Sequence, residues 1–446
     1  MSSIGHGLSI AATAALFTIG CAPGVIGEVP KLDHGLVDES GRLPTGTYST
    51  TDVRILDLDR DGHLDIVWTS QNFGEHDEVT DTWELPGGVD VSLGDGSGRF
   101  VAGELPPEIG GWTFVEPADV DGDGDQDLLL TGPKRQAPQL ALLINDGHAN
   151  FTMGEVPALT GEDVGLTYSR VAVADLDEDG DVDVLLSIFL DVTLTEERPN
   201  VILLNDGSGT FTRDEEGRLP EMPPDSDYTL SIAPADFNGD GACDLIVGET
   251  ERQSRLLLND GRGFFTDATG SLSEGGTRVP ADMLRAYHML PIDMDNDGDR
   301  DLVVINDATY AEDGETPRAF GNYVLPNDGA GGFGLIPLPE PVARQDTRGL
   351  AVDDLNGDGI RDIVIGNAVG GAVQHGGAAI EVFLGDGAEG YAPVRNLPRW
   401  EKGVFGVAVG DLNEDGWPDI AAAVGIGDET ASATSGDYTN ILLLSQ

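Results

Sequence analysis

Cysteine is almost missing from this sequence: Cys21 and Cys243 are the only two in 446 residues, so no disulfide framework holds the fold. Positive charge is also scarce. Twenty-four Lys and Arg stand against 80 Asp and Glu, a formal net charge of −56. A surface of that sign repels phosphate backbones and anionic lipid, which excludes nucleic acid as a partner. Aromatic residues make up only 6%, and no apolar run reaches the ~18–20 residues that span a bilayer. Acidity with few aromatics can signal disorder, but 39% of the residues are hydrophobic and they fall in short Val/Ile/Leu runs. That pattern, with 62 glycines and 25 prolines, describes a folded β protein with many turns. Length alone would allow two or three domains.

Catalytic motifs are missing too. The seven histidines (His6, His34, His63, His76, His148, His288, His375) are scattered, and no P-loop or dinucleotide fingerprint occurs. "QHGG" at Gln374–Gly377 has no nucleophile elbow beside it. Cys243 reads as an idle or buried thiol.

What is present begins at the N-terminus. "LSIAATAALFTIGC", Leu8 to Cys21, has the length of a secretory h-region. Its ending resembles a bacterial lipoprotein signal, in which Cys21 would be lipidated and become the first residue. Met1–Gly7 holds no Lys or Arg, and Thr18 stands where such signals usually carry Leu, so an ordinary signal cleaved near Ala22 stays open. Residues 1–21 are read as a processing signal and 22–446 as one domain. The chain is then exported and periplasmic, outer-membrane-anchored or extracellular, with membrane contact only through a lipid at Cys21.

One acidic phrase occurs seven times: "DLDRDGHLD" from Asp57, "DVDGDGDQD" from Asp119, "DLDEDGDVD" from Asp175, "DFNGDGACD" from Asp236, "DMDNDGDRD" from Asp293, "DLNGDGIRD" from Asp354 and "DLNEDGWPD" from Asp411. The near-constant spacing makes the chain a repeat array. A second phrase recurs in each unit, as in "LLINDGHANF" from Leu142 and "ILLNDGSGTF" from Ile202, and its Asn-Asp-Gly or Gly-Asp-Gly between apolar runs signals a hairpin. Each unit reads strand A, acidic loop, strand B, variable loop, strand C, turn, strand D. Seven such units predict an all-β fold, a seven-bladed β-propeller of four-stranded antiparallel blades starting near residues 52, 114, 170, 231, 288, 349 and 406. The last unit stops at its strand C, "ILLLSQ" (Ile441–Gln446). "GEVP" at Gly27–Pro30 repeats the "GEVP" at Gly154–Pro157, so residues Val25 to Pro30 are expected to supply the missing strand and close the ring.

Oxygen ligands at loop positions 1, 3 and 5, glycine at 6 and a closing carboxylate at 9 match the front half of an EF-hand loop, with Asp at 9 in place of Glu at 12. Crowded carboxylates repel, at ~3 kcal/mol per pair for roughly 5 Å and an effective dielectric near 20, and a hard divalent cation reverses that sign. Flexible all-oxygen cages suit calcium better than magnesium, and no His or Cys cluster points to zinc or iron.

These phrases resemble FG-GAP/VCBS repeats, the blades of integrin α-chain propellers and of many bacterial exported proteins. The resemblance runs from about Val25 to Gln446; the letters "FG" and "GAP" are mostly absent, which places it nearer the VCBS branch. It implies about seven Ca²⁺ sites, each using side chains at 1, 3, 5 and 9 and the backbone carbonyl at 7. Carried onto this chain, the side-chain ligands are Asp57, Asp59, Asp61 and Asp65, then Asp119, Asp121, Asp123 and Asp127, then Asp175, Asp177, Asp179 and Asp183. The fourth and fifth loops use Asp236, Asn238, Asp240 and Asp244, and Asp293, Asp295, Asp297 and Asp301; the last two use Asp354, Asn356, Asp358 and Asp362, and Asp411, Asn413, Asp415 and Asp419.

Two function classes follow. One is a non-catalytic exported module for binding, adhesion or scaffolding at the cell surface, expected as a monomer. The other is a calcium-dependent polysaccharide lyase on the same scaffold, for which Arg285, Tyr287 and His288 form the one local cluster. Chain reversal at every turn puts the acidic loops and the C–D turns on one face. The long variable connections (Gln71–Gly88, Thr193–Pro199, Tyr310–Asn322) lie on the other, where a glycan or protein ligand is expected. Tyr48, Trp112, Tyr168, Tyr228, Tyr287 and Phe405, with Arg348, precede or open strand A near that face. They read either as packing between blades or as a collar of rings around the central channel.

Overall fold

The computed structural model describes residues 32, 34–44, 49–70, 76–77, 82–83, 88–106, 113–132, 140–156, 167–189, 200–221, 229–249, 254–269, 286–306, 309–310, 317–318, 321–339, 346–368, 379–387, 390–395, 397–398, 400, 403–425 and 439–446. The apolar segment ending at Cys21 lies outside them. Among the described residues no helix is long and apolar enough to cross a membrane.

Seven four-stranded antiparallel sheets form the blades of the propeller. Strand A runs Thr50–Leu56, Phe114–Ala118, Thr167–Ala174, Thr229–Ala235, Ala286–Ile292, Asp346–Asp353 and Gly403–Gly410 in blades 1 to 7. Two small hairpins, His76–Asp77 with Thr82–Trp83 and Thr309–Tyr310 with Pro317–Arg318, sit in the B–C connections of blades 1 and 5.

The core is not central. It is divided into seven apolar clusters, each made from two neighbouring blades; Leu129, Leu142 and Val120 of blade 2, for example, meet Val184, Leu203 and Phe211 of blade 3. Strand B is covered on both faces, and in blades 1, 2, 5, 6 and 7 each of its residues is buried. This is why strand B reads as a continuous apolar run and not as an alternation. Around the channel, strand A of blades 6, 7 and 1 approach backbone to backbone. A Cβ on Gly349 would lie 2.9 Å from the Val407 nitrogen, and one on Gly406 would lie 3.0 Å from the Cα of Asp52.

The Asn-Asp-Gly phrase forms a hairpin, although not a two-residue one. The Asn is the last residue of strand C and pairs with the aromatic that opens strand D (Asn145↔Phe151, Asn205↔Phe211, Asn259↔Phe265), leaving five residues in the turn. The Asn amides reach across to the preceding blade: Nδ2 of Asn145, Asn205, Asn259 and Asn327 donates to the carbonyls of Leu58, Val120, Leu176 and Phe237 at 2.8, 2.7, 2.8 and 2.9 Å. All four side chains are buried, so each bond is formed in a low-dielectric setting where losing it leaves an unpaired polar group.

An N-terminal strand closes the ring, but a different one from the segment expected. Leu36–Asp38 pairs antiparallel with Ile441–Ser445 (Leu36↔Ser445, Val37↔Leu444, Asp38↔Leu443) and is strand D of blade 7. Residues 25–30 lie outside the described residues. The informative phrase was "DESGRLP", Asp38–Pro44, which repeats the "DEEGRLP" of Asp214–Pro220 that follows strand D of blade 3. The two copies also act alike. Arg42 donates to the Ser97 carbonyl in the C–D turn of blade 1, as Arg218 does to the Arg262 carbonyl in that of blade 4. Leu43 is buried in the cluster between blades 7 and 1. Deleting residues 1–44 should leave Ile441–Ser445 as an open apolar edge and cause aggregation or a large loss of melting temperature. Deleting residues 1–31 should cost far less; equal behaviour of the two truncations in size-exclusion and thermal melts would refute closure by Leu36–Asp38.

Candidate metal centre

Each acidic loop is built by short hydrogen bonds that the residue types dictate. A carboxylate at position 1 accepts the N–H of the glycine at 6 in all seven copies, from 2.7 Å (Gly359 to Asp354) to 3.1 Å (Gly62 to Asp57). Position 5 accepts the N–H of position 7 in all seven, at 2.8–3.0 Å. The glycine at 6 has φ between 85° and 100°, and position 4 is also left-handed in every loop, although it is Arg60, Glu178, Asn296 or Glu414 in four of them. Side chains at positions 1, 3 and 5 are thereby gathered on the inside of the turn.

The Asp at position 9 plays a further part. Asp65, Asp127, Asp183, Asp244, Asp301, Asp362 and Asp419 are all completely buried. One oxygen of each accepts the N–H of loop position 2, as from Leu58 at 2.8 Å and Met294 at 2.7 Å. The other accepts the N–H at the end of strand C, as from Gly94 at 2.8 Å and Asn327 at 2.7 Å. The same pair of bonds recurs in the remaining five blades. Burial pushes these carboxyls up to about 6, and Asp362 to about 7, with neighbouring loop carboxylates adding to the rise and the two N–H groups opposing it.

The residues present fit a cation. In four loops three carboxylates bring oxygens within 4.8 Å of one another: Asp57, Asp59 and Asp61; Asp119, Asp121 and Asp127; Asp175, Asp177 and Asp183; and Asp293, Asp295 and Asp297. Oδ1 of Asp57, Asp175 and Asp293 is buried and accepts no hydrogen bond, which leaves an anionic oxygen without compensation unless a cation meets it; Oδ1 of Asp177 is likewise unbonded, while its Oδ2 lies 3.8 Å from the Arg218 guanidinium. The three loops with Asn at position 3 carry one carboxylate fewer, and the Asn amide makes hydrogen bonds of its own. Nδ2 of Asn238 and of Asn356 donates to Asp240 and Asp358 at 2.9 Å, and that of Asn413 to the Ser445 carbonyl at 3.3 Å.

Neighbouring loops also touch. Position 4 of one meets position 6 or 7 of the next: Arg60 pairs with Asp125, Glu414 with His63, and Asn296 donates to the Gly359 carbonyl at 3.1 Å. Three of the seven junctions between neighbouring loops (1–2, 5–6 and 7–1) are thereby fastened directly, on the face the loops share with the C–D turns.

Four overlapping or adjacent stretches of the chain, 119–186, 189–247, 293–365 and 354–422, match the FG-GAP-like repeat. Together they cover more than half of the sequence and take in six of the seven acidic loops. The chain belongs to the FG-GAP-like repeat family. No curated protein matches it. The FG-GAP propeller is a scaffold for binding, and its fold alone does not name a ligand.

Other sequence-stated positions divide plainly. Cys243 is part of the core between blades 3 and 4, and burial pushes its thiol up to about 12, so it stays protonated. Arg285, Tyr48, Trp112 and Tyr228 lie outside the described residues, as do the side chain of Tyr168 and most of the long B–C connections. Tyr287, Arg348 and Phe405 are described, each at a register shift in strand A. Phe405 packs over Gly425, where a Cβ would meet its ring, whereas Tyr287 has the Arg348 guanidinium 4.4 Å from its ring centroid.

The raised position-9 carboxyls set a pH dependence. An unfolded Asp titrates near 3.8, so between about pH 4 and 7 the metal-free folded chain holds protons that the unfolded chain has released. Stability of the chelated protein should accordingly fall as pH rises through that window. Thermal melts in excess chelator should give a higher melting temperature at pH 5 than at pH 7.5, and the opposite order would contradict the burial of these groups.

Proposed function

We propose that this FG-GAP propeller is an exported, calcium-dependent binding module without catalytic activity, whose seven loops hold Ca²⁺ through positions 1, 3, 5 and 9. The observation that carries the reading is the set of buried, unpartnered Oδ1 atoms in loops 1, 3 and 5, because hard all-oxygen sets with this spacing favour calcium. Seven divalent ions would add fourteen positive charges to a chain of −56 and remove the worst local repulsion. Export is supported by the apolar stretch ending at Cys21 and by the millimolar calcium outside cells, at which extracellular modules of this kind are loaded. A glycan or protein ligand would be held on the face opposite the acidic loops.

Calorimetric titration with CaCl₂ should give two classes of site, four tighter (loops 1, 2, 3 and 5, four carboxylates each) and three weaker (loops 4, 6 and 7, where Asn replaces one). Chelation should lower the melting temperature, and Asp177→Ala should remove one site while sparing the others. A melting curve indifferent to chelator would sink the calcium reading.

The second reading, a polysaccharide lyase, has one observation in its favour. His288 next to Tyr287 is held neutral by burial and by Arg170 and Arg54, which push its pKa well below the usual imidazole range; it is thus free to accept a proton, although as a weaker base than an imidazole tuned near the working pH. Incubating the calcium-loaded protein with acidic polysaccharides should release no unsaturated product; ultraviolet absorbance from such a product would transfer the chain to that class.

A further inference from the structure

Arginines converge in the central channel of a protein that is otherwise overwhelmingly acidic. Arg54 of blade 1 bonds Asp52 at 2.7 Å and Glu116 of blade 2 at 3.0 Å, which occupies both nearby carboxylates. Arg170 of blade 3 has its guanidinium 4.5 Å from the Phe114 ring centroid and 5.6 Å from that of Tyr287 in blade 5. Arg348 of blade 6 packs on the same Tyr287 ring at 4.4 Å. Asp52, Tyr287, Arg54 and Glu116 are the groups whose charges act on Arg170, and Arg170 and Arg54 are those that act on His288.

Among the described residues the Arg170 guanidinium makes no ion pair and no hydrogen bond; its bonds with Ser187 are through the backbone. The His288 Nδ1 nearby is buried and equally without a partner. In a chain with 80 acidic residues, the Arg170 guanidinium is met by two aromatic faces and by no carboxylate among the described residues. Cation–π contact fixes such a group in place while leaving its in-plane N–H donors free.

The backbone aims these side chains. Strand A shifts register between Tyr168 and Val171, Ala286 and His288, and Thr347 and Gly349, so Arg170, Tyr287 and Arg348 are all bulge residues. Bulges re-aim side chains and are common beside functional sites. Arg170 and Arg348 lie five and six residues before the first Asp of their acidic loops, roughly 17–20 Å along an extended strand. The charges that act most on Arg170 are accordingly those of Asp52, Tyr287, Arg54 and Glu116, none of them a ligand position of an acidic loop. Arg170, Tyr287 and Arg348 stand toward the end of strand A away from the acidic loops, whereas Arg54 and Glu116 pair with each other three residues before theirs.

We propose that this cluster is a binding site for a carboxylate-bearing ligand of the acidic-sugar type, with Arg170 as the ion-pairing group, the His288 side chain as a hydrogen-bond partner and Arg348 and Tyr287 as the flanking wall. Guanidinium–carboxylate pairing is bidentate and planar, and a flat aromatic wall suits the apolar face of a sugar ring. The proposal deepens the reading of the chain as a binding module and rests on it.

The test is calorimetric titration of the calcium-loaded full chain with galacturonate, acetate and galactose at up to about 20 mM, a range that reaches weak single-sugar affinities. Galacturonate should bind, with heats that shrink as NaCl rises, and galactose should not. Acetate binding as tightly as galacturonate would identify a small organic acid as the source of the same carboxylate. Arg170→Gln should weaken galacturonate at least tenfold with little change in melting temperature; if that protein does not fold, Arg348→Gln should weaken binding severalfold instead. Binding of galactose equal to galacturonate, or no heat from either carboxylate, overturns the site. A glycan or protein captured by the loop tips would still be retained by the Arg170→Gln protein, so failure of the channel site and failure of the binding-module reading give different results.

Discussion

The structure depends on a carboxylate that water never reaches. An Asp closes every acidic loop, fully buried, and each of its oxygens accepts a backbone N–H. An ionised group in that position without partners would cost several kcal/mol. With both bonds made it joins three things at once: the loop, the first residue of strand B and the last residue of strand C. A blade therefore cannot form its sheet correctly without also shaping its loop. The acidic loops take their shape from the same bonds that set the sheets in register.

Around the ring the same economy operates between blades. No cluster of apolar side chains belongs to one blade; each is shared by two, and an isolated blade would leave both its faces open. Buried Asn amides and loop-to-loop contacts fasten one blade to the next on the acidic face. Leu36–Asp38 makes the last joint from residues at opposite ends of the chain. Stability of such a ring is a property of the closed set of interfaces, which is why the N-terminal strand matters out of proportion to its three residues.

Charge is sorted by position within this frame. Acids are concentrated in the turns on one face, in groups that could hold a cation, while Arg170 and Arg348 meet on the Tyr287 ring toward the other end of strand A. The charges that act most on Arg170 come from Asp52, Tyr287, Arg54 and Glu116 and not from the ligand positions of the loops. Membership of the FG-GAP-like repeat family accounts for the loops and the propeller. It does not account for Arg170, whose setting depends on side chains from blades 2 and 5.

Local features were legible in the sequence because local forces make them. The acidic loop is written within nine residues: the glycine at 6 supplies the positive φ, and the Asp side chains bond N–H groups two or five residues on. Its seven copies exposed the repeat, and the repeat with its turn signals implied four strands per blade and a ring of seven. What the sequence did not yield is whatever rests on contacts between distant blades. The recurring "GEVP" drew the closing strand toward residues 25–30, whereas pairing with Ile441–Ser445 selects Leu36–Asp38, since only there do Arg42 and Leu43 also reach blade 1. The Asn of the C–D turns in blades 2 to 5 reads as a turn residue, yet it is a clamp between blades. Arg170, Tyr287 and Arg348 are unremarkable in three separate strands; bulges bring them to one point. Short-range hydrogen bonding determined the loops and strands, and ring closure, which sets residues hundreds of positions apart against one another, decided the channel and its site.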